Sequence, residues 1–304
     1  MTRLRRESWA TGRLESAAAL RDLRALTRIA LGSNSLGAVR ASAVNDYKSC
    51  VQDGRSVREW LGTIGLVGPL RESAETLIGQ TFGGANLDEI SLLSFAELVG
   101  GEGKGFLFLL DGFGLTDYVV EGMGALCAWL ADQLASVRLE SAVVSVEQDA
   151  NGVAVQTISG EVIEGDRVIV TVPATILDLI SFSPQLPNAI RDANSAVQYG
   201  QATKIAAVVN RRGILRTTGF VGGSLVRQGW SAGDVLYGLT GPDGAASDLP
   251  ALVEDLCDGF RVDPQDVAHV ELVGWAHDPF CLGTYGHFLP GRFDGFRRSE
   301  SPRV

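Results

Sequence analysis

Residues 137–177 read VRLESAVVSVEQDANGVAVQTISGEVIEGDRVIVTVPATIL. Short β-branched and apolar runs at 137–140, 142–148, 153–158 and 166–172 are interrupted by Asp149-Ala150-Asn151-Gly152 and Ser159-Gly160. Asn-Gly and Ser-Gly steps supply the backbone freedom that tight hairpins need, so the segment reads as a β-meander. Its last run, DRVIVTV at 166–172, is apolar almost throughout and reads as a strand halted by Pro173. Before the meander, Glu121-Gly122-Met123-Gly124 leads into a helix with Leu126, Trp129, Leu130 and Leu134 on one face. After it come a link marked by Pro184 and Pro187, strands at 202–209, 234–240 and 267–275, and a helix at 249–260. The front of the chain is helical instead. Ser56-Val57-Arg58-Glu59 is a capping box opening a helix that carries Trp60, Leu61 and Ile64 and stops at Gly65. A second helix starts at Pro69 and ends at Gly83-Gly84, and a third carries Leu92, Phe95, Ala96 and Val99 and closes at Gly100. Leu20, Leu23, Leu26, Ile29 and Ala30 suggest an earlier amphipathic helix. The expected class is α+β.

The 304 residues carry 26 Lys+Arg against 36 Asp+Glu, a formal charge of −10, which argues against a nucleic-acid surface. With 45 % hydrophobic and 20 % charged residues the chain is a folding, core-forming sequence, and no apolar run is long enough to span a bilayer. Cys50, Cys127, Cys257 and Cys281 form no CxxC pair and read as free thiols, mostly buried, in a reducing cytoplasm. Seven Arg and no apolar core in the first 28 residues argue against a signal peptide, so a cytoplasmic protein is expected.

General catalytic motifs are missing. Gly222-Gly223-Ser224 lacks the closing glycine of a nucleophile elbow, and Gly122-Met123-Gly124 lacks the third glycine of a dinucleotide fingerprint. The glycine-rich stretch 100–114 is no P-loop, because Lys104 is followed by Gly105. His277, Asp278, Cys281 and His287 fall close together but match no zinc template, and no metal is expected.

Seven segments, in order, resemble the flavin-containing amine oxidase family (monoamine, polyamine and amino-acid oxidases). They are SVREWL at 56–61, VEGMGALCAWLADQL at 120–134, VRLESAVVSVEQDANGVAVQT at 137–157, DRVIVTVPATIL at 166–177, FSPQLP at 182–187, YGQATKI at 199–205 and WAHDPFCLGTYGHFLPG at 275–291. The resemblance implies a partial two-domain fold: a helical and mixed-sheet substrate domain with a β-meander remnant of the FAD domain. The boundaries it suggests are 1–115 for the helical part of the substrate domain and 116–187 for the FAD-domain remnant. Residues 188–276 then form the substrate-domain sheet and helix, and 277–304 a truncated FAD-domain edge and tail. It further implies Lys204, which holds a water at the flavin N5, and Tyr285, one wall of the aromatic cage, as catalytic residues. Val143, Thr284 and Trp275 are the implied cofactor contacts. Thr284 stands where some members carry a cysteine tethered to flavin, so the FAD would be non-covalent. Read from its residues alone, Val143 is a core strand residue and Lys204 lies on a strand apolar on both faces.

The chain also departs from the family. The strand–GxGxxG–helix that opens the family's cofactor site is not found, and GRFDGFRRSESPRV at the end resembles no flavin-closing segment. The expectation is therefore an FAD-dependent amine oxidase lineage in truncated or split form, acting on a small-molecule amine. A partner chain would supply the Rossmann unit, and this chain by itself would bind FAD poorly. The competing expectation is a non-catalytic fragment, or a flavin-free binding or interaction protein, derived from that family. An Arg to hold an amino-acid carboxylate would be needed for one substrate class, and Arg227 is the candidate by position.

Overall fold

The computed structural model describes residues 4–6, 54–63, 67–101, 117–119, 121–210, 219–242 and 248–293. The expected helix at 20–30, Cys50, Ile64 and most of the glycine-rich stretch lie outside the described residues. A short pair, β1 (Leu4–Arg6) with β2 (Asp117–Val119), is antiparallel.

Three helices build the front. Helix α1 (Val57–Thr63) opens on the reciprocal box read from the sequence: the Ser56 N–H donates to Glu59 Oε2 at 3.1 Å and the Glu59 N–H to Ser56 Oγ at 3.2 Å. Helix α2 (Pro69–Thr81) starts on proline, and α3 (Leu92–Gly101) follows it. Their apolar faces meet in one core of Trp60, Leu61, Ile78, Phe82, Ile90 and Phe95, with the Trp60 and Phe95 rings 5.7 Å apart. Arg58 ties the rim together through Glu75, Asn86 and Asp88.

The second body is a five-stranded sheet in the order β12-β8-β11-β10-β9, antiparallel at every pairing. Its strands are β8 (Lys204–Val209), β9 (Gly219–Val221), β10 (Val226–Ala232), β11 (Val235–Thr240) and β12 (Val267–Val273). Helix α7 (Leu249–Phe260) covers one face and buries Leu252, Leu256 and Phe260 against Ile205, Ala207, Val226 and Leu236. Asp248 caps α7 by accepting from the Ala251 N–H at 2.9 Å. Asp255 reaches from α7 to the start of β10, accepting from the backbone N–H groups of Ser224, Leu225 and Val226 and from Ser224 Oγ. Those bonds hold its carboxyl below the ordinary range against the opposing effect of burial. Ser224 thus serves a helix-to-sheet clamp. Gly222-Gly223 is the turn that feeds it.

The third body contains the meander. Strands β3 (Val143–Gln148), β4 (Val153–Thr157) and β5 (Val162–Gly165) are antiparallel neighbours, and β6 (Ser181–Ser183) adds to β3 in parallel, giving the order β5-β4-β3-β6. Two expectations are corrected here. Residues 137–140 join no ladder, and Leu139 is 81 % exposed. Residues 166–172 join none either: the third strand of the meander is 162–165, and Ile169 is 88 % exposed. Strand propensity is a preference for a partner, and no described strand lies beside this run to pair with it.

Helix α4 (Met123–Ala131) shares that openness. The spacing of its apolar residues is as expected, yet none of its side chains is buried, and Trp129 is 58 % exposed. Beyond it lie α5 (Ala174–Leu177), α6 (Asn188–Ala196) and the pair β7 (Val197–Tyr199) with β13 (Gly286–Phe288). The free thiols differ by position: Cys257 is buried and pushed up to about 11, Cys281 is half-buried, and Cys127, on open α4, is exposed rather than buried as expected.

Candidate functional site

Three pieces of backbone converge between the helical body and the five-stranded sheet. The C-terminal end of α2 turns through Gly83 and Gly84, both at positive φ, and residues 199–203 run alongside on their way into β8. The Ala202 N–H donates to the Gly83 carbonyl at 2.9 Å. A Cβ on Gly200 would fall 2.3 Å from the carbonyl oxygens of Phe82 and Gly83, so only glycine permits this approach. The third piece is 284–286, which pairs with the same segment. The Thr284 N–H donates to the Gly200 carbonyl at 2.9 Å and the Gly200 N–H to the Tyr285 carbonyl at 3.0 Å. The hydroxyl of Thr284 turns inward and donates to the Gly83 carbonyl at 3.4 Å.

The junction fixes two of the expected site residues. Tyr285 projects with 56 % of its surface exposed, while its backbone is held by Gly200. Lys204, four residues beyond Gly200, begins β8. On the far side of Tyr285, His287 is only 3 % exposed and lies edge-on to Phe82 with centroids 6.3 Å apart. Neither ring nitrogen closes a hydrogen bond among the described residues. Burial pushes its pKa down, so the neutral imidazole is favoured.

Trp275 sits at the head of the turn that presents this segment. Its carbonyl accepts from the N–H groups of Asp278 and Gly283, and its side chain is half-buried. Asp278 Oδ1 is engaged by the Phe280 N–H at 2.7 Å. Thr175 Oγ1 donates to the Cys281 carbonyl and ties the turn to α5. Among the described residues no three His, Cys, Asp or Glu side chains gather as metal ligands.

Lys204 lies on a different kind of surface from the one its neighbours suggest. Burial along β8 alternates, with Ile205, Ala207 and Val209 buried and Lys204, Ala206 and Val208 half-exposed. The expectation of a strand buried on both faces is corrected: α7 covers one face only. On the open face the Lys204 Nζ lies over two rings, 5.0 Å from the Tyr237 centroid and 5.5 Å from the Trp230 centroid. Those rings stack with centroids 5.6 Å apart at 17°. Desolvation lowers the pKa of Lys204. A sequence signal for this residue exists: the chain has only three lysines, Lys48, Lys104 and Lys204, against 23 arginines. The sequence offers no strand pattern strong enough to place Trp230 on β10, and Tyr237, inside the expected strand 234–240, carries no motif that marks it.

The remaining expected residues fall elsewhere. Val143 is the first residue of β3, in the meander sheet, and is 36 % exposed. Its core reading is corrected: the residue is paired with Thr157 on β4 but its surface is exposed. Arg227 lies in the bulge of β10 between Val226 and Gln228, where its Nη1 donates to the Gly223 carbonyl at 3.4 Å. The structure thus groups Thr284 and Tyr285 around Gly200, puts Lys204 four residues on, hangs Trp275 at the head of the adjoining turn, and leaves Val143 in a separate sheet. No helix among the described residues is long and apolar enough to cross a membrane.

Comparison with known proteins gives a consistent result. Residues 66–303 match the model of the family described as flavin containing amine oxidoreductase. A probable polyamine oxidase 4 of Arabidopsis thaliana is 26 % identical over 202 residues, 60 % of this chain and 40 % of that protein. A lysine-specific histone demethylase 1 homolog 3 of Oryza sativa subsp. indica is 24 % identical over 196 residues, 56 % of this chain and 24 % of its own length. The chain therefore spans well under half the length of the curated relatives it matches. Among solved structures, putrescine oxidase bound to putrescine superposes with a TM-score of 0.79 at 17 % identity, covering 97 % of this chain and 70 % of that one. Cyclohexylamine oxidase from Brevibacterium oxydans IH-35A gives 0.70 at 20 % identity, with coverages of 94 % and 66 %. At these identities the structures share a fold.

Proposed function

From the premise that this chain belongs to the flavin containing amine oxidoreductase family, we propose that it carries the substrate side of an FAD-dependent amine oxidase. When bound, flavin would supply the acceptor for the hydride of the C–H beside an amine nitrogen, with O2, reduced to H2O2, as the terminal oxidant. The imine left behind is hydrolysed by water. The substrate would be a small amine, in keeping with the polyamine, putrescine and cyclohexylamine oxidases it resembles.

The observation that carries this reading is Lys204. Its half-buried ammonium stands on an open sheet face beside aromatic rings, and desolvation lowers its pKa. Such a group suits an ordered water or a flavin edge better than an ion pair. The described residues fit the reactive end of a flavin: Lys204 to hold a water, the exposed ring of Tyr285 to align the amine, and Trp275 and Thr284 to border the ring system. With its hydroxyl given to the Gly83 carbonyl and no thiol to offer, Thr284 supports non-covalent binding. Val143 would meet the adenine end from the meander sheet. We assign the helical, meander, sheet and terminal units to the boundaries 1–115, 116–187, 188–276 and 277–304.

The open face of α4 and the unpaired run 167–172 favour a second element in this reading: a covering body, provided by a partner chain or by further polypeptide, that completes the nucleotide end of the site. Two measurements test the proposal. Purified chain, denatured, is expected to release far less than one FAD per molecule; a stoichiometric yield would overturn the claim that the nucleotide end is incomplete. With excess FAD under anaerobic conditions, a panel of polyamines and cyclic amines is expected to bleach the oxidised flavin. Lys204→Met should slow that reaction on the order of a hundredfold. Flavin bound yet reduced by no amine would overturn the oxidoreductase reading in favour of a non-catalytic derivative.

A further inference from the structure

We propose that Trp230 and Tyr237 are positioning residues that hold the Lys204 ammonium by cation–π contact on the open face of the five-stranded sheet. This rests on the reading that Lys204 serves the flavin site, and extends it to two residues on neighbouring strands. The register makes the arrangement. Trp230 pairs with Tyr237 across β10 and β11, and Tyr237 pairs with Ala206 across β11 and β8, which puts both rings on the face that Lys204 shares. The rings stack nearly parallel, and the ammonium lies within about 6 Å of both, the range in which a ring quadrupole attracts a cation.

Other charged groups on that face do not account for the placement. On β12, Glu271 pairs with Ala206 and His269 with Val208, so both share the face, but they are exposed and contact each other at 3.2 Å. On β8 itself Lys204 is the sole ionisable residue, and on β11 Tyr237 is. Val273 and Leu239, directly across from Lys204 on either side, are apolar. A flexible four-carbon stem with no carboxylate beside it would sample many positions. Two rings on rigid strands reduce that to one.

Reductive methylation with carbon-13 formaldehyde labels the three lysines and the N-terminus of the full chain, giving few enough signals to assign with Lys204→Met. The Lys204 methyl resonance is expected well upfield of those of Lys48 and Lys104 because of ring currents. Trp230→Leu and Tyr237→Leu keep an apolar cover while removing the quadrupole. Each should return the resonance towards the others and lower the titration midpoint of Lys204 by about 0.5–1 pH unit, since the rings favour the charged form. Trp230→Phe, the gentler variant, should retain most of the wild-type shift and midpoint. A Lys204 resonance coincident with the other lysines, or Leu variants that leave shift and midpoint unchanged, would overturn the proposal. So would a midpoint that rises in the Leu variants, which would make the rings mere shielding from water. The readout needs no flavin, so its failure is distinct from a failure to oxidise amines.

Discussion

Helices α7 and α4 look alike in sequence and end up in opposite situations. Both are short and strongly apolar, with Leu252, Leu256 and Phe260 in one and Leu126, Trp129 and Leu130 in the other. Helix α7 buries its stripe against five strands and is anchored by the Asp255 carboxylate, whereas α4 buries nothing. The run 166–172 likewise joins no sheet. Periodicity therefore announces that a face wants a partner. It does not say whether the partner is at hand. In this chain the five-stranded sheet is closed on its α7 face, while α4 and the run 166–172 are open.

The sharpest way to break the contrast is a matched pair of truncations. Leu256→Ala removes a fully buried side chain from the α7 core and should cost about 2–5 kcal/mol in urea unfolding. Leu130→Ala on α4 should stay within about 0.5 kcal/mol, as exposed substitutions do. A loss at Leu130 comparable with that at Leu256 would mean that α4 is covered in solution.

A smaller effect sharpens the same contrast. Asp255→Ala frees three backbone N–H groups and the Ser224 hydroxyl, and should cost about 1–2 kcal/mol. Because the folded carboxyl titrates below its unfolded value of 3.8, its contribution is full above that pH and is lost as pH falls through the lower, folded value. Wild type should lose stability over that acid interval, and Asp255→Ala should lose less. Equal acid sensitivity in the two would show that the clamp does not hold α7 to the sheet.

Much of this architecture was legible because local chemistry and tertiary contacts agree. The capping box at Ser56–Glu59, the proline start of α2 and the glycine pair after it are complete within a few residues of sequence. Strands β8, β11 and β12 and helix α7 lie where their patterns put them, within about two residues. What failed was contextual. The third meander strand is 162–165 rather than 166–172, since only pairing with β4 decides between adjacent β-prone runs. The half-open environment of Lys204 was hidden because a continuous apolar neighbourhood is identical in sequence whether one face or both are covered. Trp230, Tyr237 and His287 gained their meaning from register and burial, which no short motif encodes. Family resemblance supplied Lys204, Thr284 and Tyr285. The fold adds that Thr284 and Tyr285 share one junction around Gly200, four residues before Lys204.

Hydrogen exchange followed by mass spectrometry on the purified chain tests the closed-and-open account most directly. Amides of β8, β11 and α7 should resist exchange for hours, while those of 167–172 should exchange within the first seconds, with no ladder to protect them. Protection of 167–172 equal to that of β8 would contradict it, because the run would then be paired and the supposedly open side of the molecule already closed.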